Sequence, residues 1–411
     1  MRYSRLLLKT NKDAKQFDSV NATLLSQAGF IHQAMAGVYT FLPLGWRVLN
    51  KIENIIREEM DTVGAEMLMP AIVPTALWEQ TGRLATVSVL MGTKPANEES
   101  RKRNDASYIL NPTHEEVITP IAQRFKPSYK DLPFAVYQIQ TKFRNEERPK
   151  SGLLRGREFR MKDLYSFHAT QEDFQHYYDE VKEVYVRIFE RLGMGNATVV
   201  ALASGGDFTT EYSHEFDVRL EAGEDTVYYD ERNDVHYNSE VAPAEVRERG
   251  DSFTVSEIGN TFPLGTKFSQ AFAYTYRDAA GVMQPVIMAS YGIGTSRIMG
   301  VLVEKFHDDR GMVWPAAVAP FTIHLLGLNA GKANVRERAD TVYDQLQQAG
   351  VEVLYDDRPD ISAGAALADA DLIGVPWRAI VSEKTGDQIE VKARREQETR
   401  LVSAKGLFHL V

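Results

Sequence analysis

Phe143–Phe167 reads FRNEERPKSGLLRGREFRMKDLYSF. Two runs suited to strands, TKFRNEE going out and REFRMKDLYSF coming back, are joined by Pro149, Ser151, Gly152 and Gly156. The spacing predicts an antiparallel pair with a long loop. From Lys142 to Lys162 there are eight Lys or Arg and three Glu, in a chain whose formal net charge is −10. Guanidinium groups lining one face of such a pair suit a polyphosphate, because each presents a rigid fork of donors to paired oxygens. Arg144, Arg155 and Arg157 are the candidates. A solvated basic hairpin is the alternative, since charge runs are usually surface.

Two further segments flank this one. Upstream, Trp46, Leu49, Ile52, Ile56 and Met60 recur at three- and four-residue intervals, which predicts a helix with one apolar stripe, broken at Gly64 before a strand AEMLMP closing at Pro70. Downstream, ASYGIGTSRIMGVLVEKF at 289–306 predicts a glycine-rich strand-to-helix turn carrying Arg297. The order Phe-Arg-x-Glu, loop, Arg-x-x-x-Phe at Phe143, Arg144, Glu146, Arg155 and Phe159 resembles motif 2 of the class II aminoacyl-tRNA synthetases. The flanking segments are similar to motif 1 (about 46–74) and motif 3 (about 290–305, against about 142–168 for motif 2). One such match is weak, but three in order are specific. The resemblance implies an α+β catalytic domain built on a mostly antiparallel sheet.

Composition fits an ordinary globular chain: 411 residues, 44% hydrophobic and 25% charged, enough for two or three domains. The N-terminus MRYSRLLLKTNKDAKQF has too short an apolar run for a signal peptide or membrane span, so a cytoplasmic location is expected. With no cysteine, disulfides, thiol nucleophiles and Cys-ligated zinc are excluded. The nine histidines show no ligand spacing, so no metal held by dedicated protein ligands is expected. The acidic net charge does not itself point to nucleic acid, and Trp377–Lys405 has only a slight basic excess, seven Lys or Arg against five Asp or Glu.

After motif 2 a helix is expected with Thr170 as N-cap, Phe174, Tyr177, Val181, Tyr185, Ile188 and Leu192 on one face, and Gly193 as its stop. Short strands such as TVYYD then extend the same sheet. Near Gly311 the character changes, and WPAAVAPF, with Pro315 and Pro320, reads as a linker. Beyond it strands alternate with helices, which predicts crossover connections and a mostly parallel, three-layer α/β domain. The expected division is a catalytic domain over 1–312, without a large insertion, and an anticodon-binding domain over 313–411.

Within class II, NPTHEEVIT (111–119), YSHEF (212–216), LGTKFS (264–269), YGIGTSR (291–297) and the C-terminal WPAAVAPF, YDDR and ADLIGVP resemble the bacterial-type prolyl-tRNA synthetases, over essentially the whole chain. The resemblance implies that proline is activated with ATP to prolyl-adenylate and pyrophosphate, then passed to the 3′ end of tRNA(Pro). It implies Arg144 and Arg297 as catalytic residues. For proline it implies Thr113, Glu115, Arg144, Met161, Phe167, His214, Ser290 and Gly292. For ATP it implies Arg144, Glu146, Arg155, Phe159, Thr266 and Arg297, with Mg2+ carried in on the nucleotide and a homodimer formed through motif 1. Plainer readings stand beside some of these: Met161 and Phe167 as core, Thr113 and Glu116 as a helix-capping box, and His214 as a satisfied, partly buried histidine.

This sequence also departs from the family. Bacterial relatives commonly insert a domain between motifs 2 and 3 that hydrolyses mischarged alanyl-tRNA, and too few residues separate His214 from Ser290 to hold it. Editing in cis is expected to be absent, leaving alanine errors to a separate trans-editing protein. Ser290 stands where Cys is frequent, and Pro263 where some relatives carry Gln. A catalytically inactive, nucleic-acid-binding or regulatory subunit, and a tRNA-independent amino-acid-activating enzyme, are the alternatives. Retention of Arg144, Glu146, Arg155 and Arg297 disfavours the first, and the C-terminal domain disfavours the second.

Overall fold

The computed structural model describes residues 1–7, 10–11, 17–126 and 128–409. The chain divides into two compact units, one of Ala36–Val38 and Glu53–Val301, the other of Met1–Met35, Tyr39–Ile52 and Leu302–Val411.

The first unit is built on a nine-stranded sheet. Its strands are β1 (Ala65–Glu66), β2 (Phe134–Phe143), β3 (Glu158–His168), β4 (Thr198–Ser204), β5 (Tyr212–Arg219), β6 (Asp225–Asp230), β7 (Val235–Asn238), β8 (Ser252–Gly265) and β9 (Ile287–Ile293). Their order across the sheet is β5-β4-β7-β6-β8-β9-β3-β2-β1, with β5 also pairing β8. Every pairing is antiparallel except β1 with β2 and β4 with β7. The predicted hairpin is β2–β3, in register from Phe134↔Phe167 to Phe143↔Glu158. Arg144, Arg155 and Arg157 lie in its connecting loop and not along a sheet face, because pairing stops at Phe143 and Glu158. The strand expected over AEMLMP shrinks to Ala65–Glu66. Beyond it Met69 N–H is taken by the Gln138 side chain at 2.9 Å, which satisfies the backbone without a ladder.

Period-two alternation gives the two faces of this sheet different work. One face is closed by the helix Gln171–Arg191, capped by Thr170, which accepts from Asp173 N–H. Its Phe174, Val181, Tyr185 and Ile188 are buried as the pattern predicts, and Gly193 ends it at φ 83°. The other face carries, in facing pairs, Asn260↔Gly292 and Phe262↔Ser290, Ser290↔Tyr165 and Gly292↔Asp163, and Gln138↔Asp163 and Gln140↔Met161. One end of that face is filled by an apolar cluster including Trp78, Val117, Tyr165, Phe167, Phe268 and Met288, each such side chain contributing roughly 1.5–3 kcal/mol by leaving water. The other end is open, and small or polar side chains line it.

The helix predicted upstream of motif 2 runs Pro43–Met60. Leu49, Ile52, Ile56 and Met60 are fully buried, whereas Trp46 stands 45% exposed.

The second unit has a five-stranded sheet of β10 (Ile323–Gly327), β11 (Val353–Asp356), β12 (Trp377–Val381), β13 (Ile389–Ala393) and β14 (Arg400–Val402), in the order β11-β10-β12-β13-β14. The first three are mutually parallel and the last two antiparallel, with the helices Ala333–Gln348 and Ala363–Ile373 as crossovers. WPAAVAPF is not a free linker. Trp314 is buried, stacks on Phe30 at 5.5 Å and donates its indole N–H to the Ile373 carbonyl at 3.0 Å. Its apolar residues outweigh the turn character of Pro315 and Pro320.

Candidate active site

The open end of the sheet face is a cavity of about 340 Å3. At one end lie Thr113 and Glu115, placed by the turn into the helix Glu115–Phe125. Thr113 Oγ1 donates to Glu115 Oε2 at 2.5 Å, so the Thr and Glu pair with each other instead of forming a capping box. The Glu116 side chain turns away to Arg83, whose Nη1 is 2.8 Å from its Oε1. Below this turn is a buried polar network. His114 N–H donates to Tyr165 OH at 3.0 Å, and Tyr165 OH donates to Asp163 Oδ2 at 3.0 Å. Lys142 Nζ donates to Asp163 Oδ2 at 2.8 Å and to His114 Nδ1 at 2.5 Å. Burial, then the Lys142 charge, pushes His114 down to about 4, so its ring is neutral at physiological pH. Burial alone raises Asp163, but the Lys142 charge and the hydrogen bonds from Lys142 and Gln138 outweigh it and hold the carboxyl below its ordinary value. The network is charge-balanced and fixes the floor.

At the other end Arg144 enters from the hairpin loop, its backbone N–H bonded to the Arg157 carbonyl at 2.9 Å. Its guanidinium lies 5.2 Å from the Phe159 ring centroid, and no carboxylate among the described residues pairs with it. Burial, then the neighbouring Arg297 charge, lowers its pKa from the ordinary arginine value. An unpaired, half-buried cation is costly unless an anion completes it. Arg297 is anchored: Nη1 donates to the Glu257 carbonyl at 2.6 Å and Nε to the Leu154 carbonyl at 2.8 Å. Arg155 donates to Glu146 Oε2 at 2.8 Å. Arg144, Glu146, Leu154, Arg155, Phe159 and Arg297 together line a narrow slot beside the main cavity.

The wall between the two ends is acidic. Asn260 Nδ2 bonds Glu215 Oε1 at 3.2 Å and Glu257 Oε1 at 3.0 Å. Burial, then the Glu257 charge, raises the Glu215 carboxyl to about 9. The cavity thus offers a carboxylate with a hydroxyl, a free guanidinium and an Arg-lined slot. That set can hold a small zwitterion against a polyphosphate.

Residues 97–306 match the family model described as tRNA synthetase class II core domain (G, H, P, S and T), and residues 316–411 match the one described as anticodon binding domain. A proline–tRNA ligase of Geobacillus sp. (strain WCH70) is 34% identical over 570 aligned residues, covering 100% of this chain and 99% of that protein. One of Rhizorhabdus wittichii is 40% identical over 428 residues, covering 96% and 95%. The chain belongs to the prolyl-tRNA synthetase family. Solved prolyl-tRNA synthetases share the fold: that of Giardia lamblia in complex with prolyl-adenylate (TM-score 0.77, 22% identity, 97% of this chain and 77% of that one) and that of Cryptosporidium parvum with halofuginone and AMPPNP (0.78, 18%, 97% and 78%).

Of the residues expected to serve this family's chemistry, the main cavity gathers Thr113, Glu115, Arg144, Phe159, Met161, Ser290, Gly292 and Arg297, and the slot adds Glu146 and Arg155. Three fall elsewhere. Phe167 shares the face of Met161 but lies beyond Tyr165, fully buried and stacked on Phe134 at 4.6 Å. His214 pairs with Thr261 across the sheet, on the helix face, where Tyr178 OH meets its Nδ1 at 3.0 Å; its neighbour Glu215 takes the cavity face. Thr266 heads the short helix Lys267–Ala271, away from both spaces. Arg157 is also diverted, giving Nε to the Glu146 carbonyl at 3.0 Å.

Sequence reasoning missed Arg83, Lys142, Asp163, Tyr165, Glu215, Glu257 and Asn260, all on the cavity wall. Alternation from Met161 would have found Asp163 and Tyr165, and a one-residue shift from His214 would have found Glu215. Arg83 gave no signal, since only the fold brings it to Glu115.

Proposed function

We propose that this chain is a proline–tRNA ligase that joins proline to ATP, releases pyrophosphate, and transfers the prolyl group from the adenylate to the 3′ end of tRNA(Pro). The observation that carries this reading is the unpaired guanidinium of Arg144 in one cavity with Thr113, Glu115 and Arg297. The proline carboxylate must attack the α-phosphorus, so two anions have to meet in line. A cation fixed between them cancels the repulsion and stabilises the charge that develops, with no proton transfer from the protein. Glu115 and Thr113 take the secondary ammonium. Met161, packed over Gly292, forms the apolar wall, Phe159 takes the adenine face, and Arg155 and Arg297 take the outer phosphates.

Magnesium enters with the nucleotide in this reading. No group of three or more His, Cys, Asp or Glu among the described residues could hold a metal, and phosphate oxygens and water would supply most of the ion's ligands. Glu257 on the wall, and Glu215 once it loses its proton, would offer hard oxygen donors of the kind magnesium accepts. When bound, the ion neutralises phosphate charge.

The division at residues 312 and 313, tRNA(Pro) as the acceptor, a homodimer and a cytoplasmic location belong to the same proposal. Exposed Leu68 and Ile72 within motif 1 support a subunit contact there. No helix among the described residues is long and apolar enough to cross a membrane. Residues 220–286 are occupied by β6, β7, β8 and short connecting elements, which supports the absence of editing in cis. A pocket rejects a side chain smaller by a methylene or two with only about 1–3 kcal/mol, so a separate trans-editing protein is part of the reading. Pyrophosphate exchange with a panel of amino acids tests it: proline alone is expected to support rapid exchange, and exchange with none of them would overturn the assignment.

A further inference from the structure

Arg83 is a buried arginine, and its only ion-pair partners among the described residues are two adjacent carboxylates. Its side chain is 4% exposed and those of Glu115 and Glu116 are 1% and 0%. Nη1 is 2.8 Å from Glu116 Oε1 and 3.6 Å from Glu115 Oε2. The guanidinium carbon sits within an aromatic enclosure, 5.1 Å from the Trp78 ring, 4.8 Å from Phe208 and 5.2 Å from Phe268. This enclosure holds a delocalised cation where water would otherwise be needed. Thr81 adds a hydroxyl donor to Glu116 Oε1 at 3.1 Å.

The consequence for Glu115 is geometric. Arg83 and Thr113 both address its Oε2, and its Oε1 accepts no hydrogen bond among the described residues. One oxygen is therefore fixed and the other is left for a ligand. The charges sum as well. Lys142 and Asp163 neutralise each other beneath the turn, which leaves two carboxylates against one guanidinium at any pH above the value of about 7 to which burial raises the Glu116 carboxyl. A buried group of net charge minus one is completed by one cation.

We infer that Arg83 and Glu116 are positioning residues that set the amino-acid pocket at one unit of negative charge and aim Glu115 at the substrate's ammonium. The inference rests on proline activation being the function. Without Arg83 the pocket carries two uncompensated carboxylates. Without the Glu116 charge, Arg83 turns wholly to Glu115 and competes with the incoming ammonium.

The test is proline-dependent pyrophosphate exchange by the full chain at pH 8.5, with KM read separately for proline and for ATP. Arg83→Met is expected to raise KM for proline about tenfold or more with KM for ATP unchanged. Glu116→Gln is expected to raise it in the same way. The double variant Arg83→Met, Glu116→Gln restores the net charge and is expected to recover a large part of the loss. A purely structural role predicts the opposite, with two core lesions adding. Should Arg83→Met fail to fold, Glu116→Gln alone decides: a proline KM within twofold of the parent's, or equal rises for proline and ATP, overturns the inference. A double variant no better than Arg83→Met overturns it too. No exchange by the parent chain would instead overturn the proposed function, and this inference with it.

Discussion

The Arg144 guanidinium lies 5.2 Å from the centre of the Phe159 ring with no carboxylate among the described residues to pair it, whereas Arg297 in the same cavity is tied to two backbone carbonyls and to Glu257. Those bonds hold the Arg297 fork in place, whereas the whole Arg144 fork is open to a ligand. Replacing Arg144 should therefore damage chemistry and not folding. Arg144→Ala is expected to lower kcat for pyrophosphate exchange by about 100- to 1000-fold, the usual cost of one transition-state donor. Its Tm is expected to stay near the parent's, because no ion pair among the described residues is lost with it. Normal turnover by this variant would remove Arg144 from the mechanism.

Gly292 and Met161 share one space. A Cβ built on Gly292 would lie 2.3 Å from Met161 Cε, the free end of a flexible thioether. Gly292→Ala is expected to fold, with Met161 displaced into the cavity, and to raise KM for proline several-fold while KM for ATP stays constant. The second change Met161→Ala should relieve the crowding. An unchanged proline KM in Gly292→Ala would show that the wall is elsewhere.

Phe167 lies in the apolar cluster and not at the pocket. Phe167→Ala is expected to cost about 3–5 kcal/mol in denaturant unfolding. The milder Phe167→Leu, measured below its melting temperature, should keep the parent's KM for proline. A raised KM in the Leu variant would restore Phe167 to the site.

Asp308 receives both Arg394 Nη groups at 2.7 Å, and this pairing, with backbone N–H donors, holds its carboxyl well below the usual range. A depressed carboxyl stabilises the fold above its unfolded pKa, and that contribution is lost as pH falls through the folded value. Asp308→Asn is therefore expected to lower Tm at pH 7, with the gap to the parent narrowing below about pH 4, the unfolded Asp value. A gap independent of pH would mean that charge is not what Asp308 contributes.

Much of the site is legible in the chain because local rules placed it. The Thr170 cap, the stripe from Phe174 to Ile188 and the glycine-ended helix follow from 3.6-residue spacing. The β2–β3 hairpin follows from two strand-like runs around Pro149, Gly152 and Gly156. Thr113 and Glu115 sit two residues apart, so one turn is enough to pair them. His214 and Thr266 are different. Which face of a strand a side chain takes depends on register against its neighbours, and His214↔Thr261 is fixed by contacts nearly fifty residues apart. A slip of one residue would have exchanged His214 and Glu215.

By itself the sequence determined the family, the order of its main elements and the basic hairpin loop that carries Arg144 and Arg155, because these rest on residue type and short-range spacing. Only the tertiary structure decided which arginine stays unpaired, which face each strand residue shows, and that Arg83 meets Glu115 and Glu116. Charge pairing in a desolvated interior depends on distances between segments far apart in the chain, and periodicity along the chain does not encode those distances.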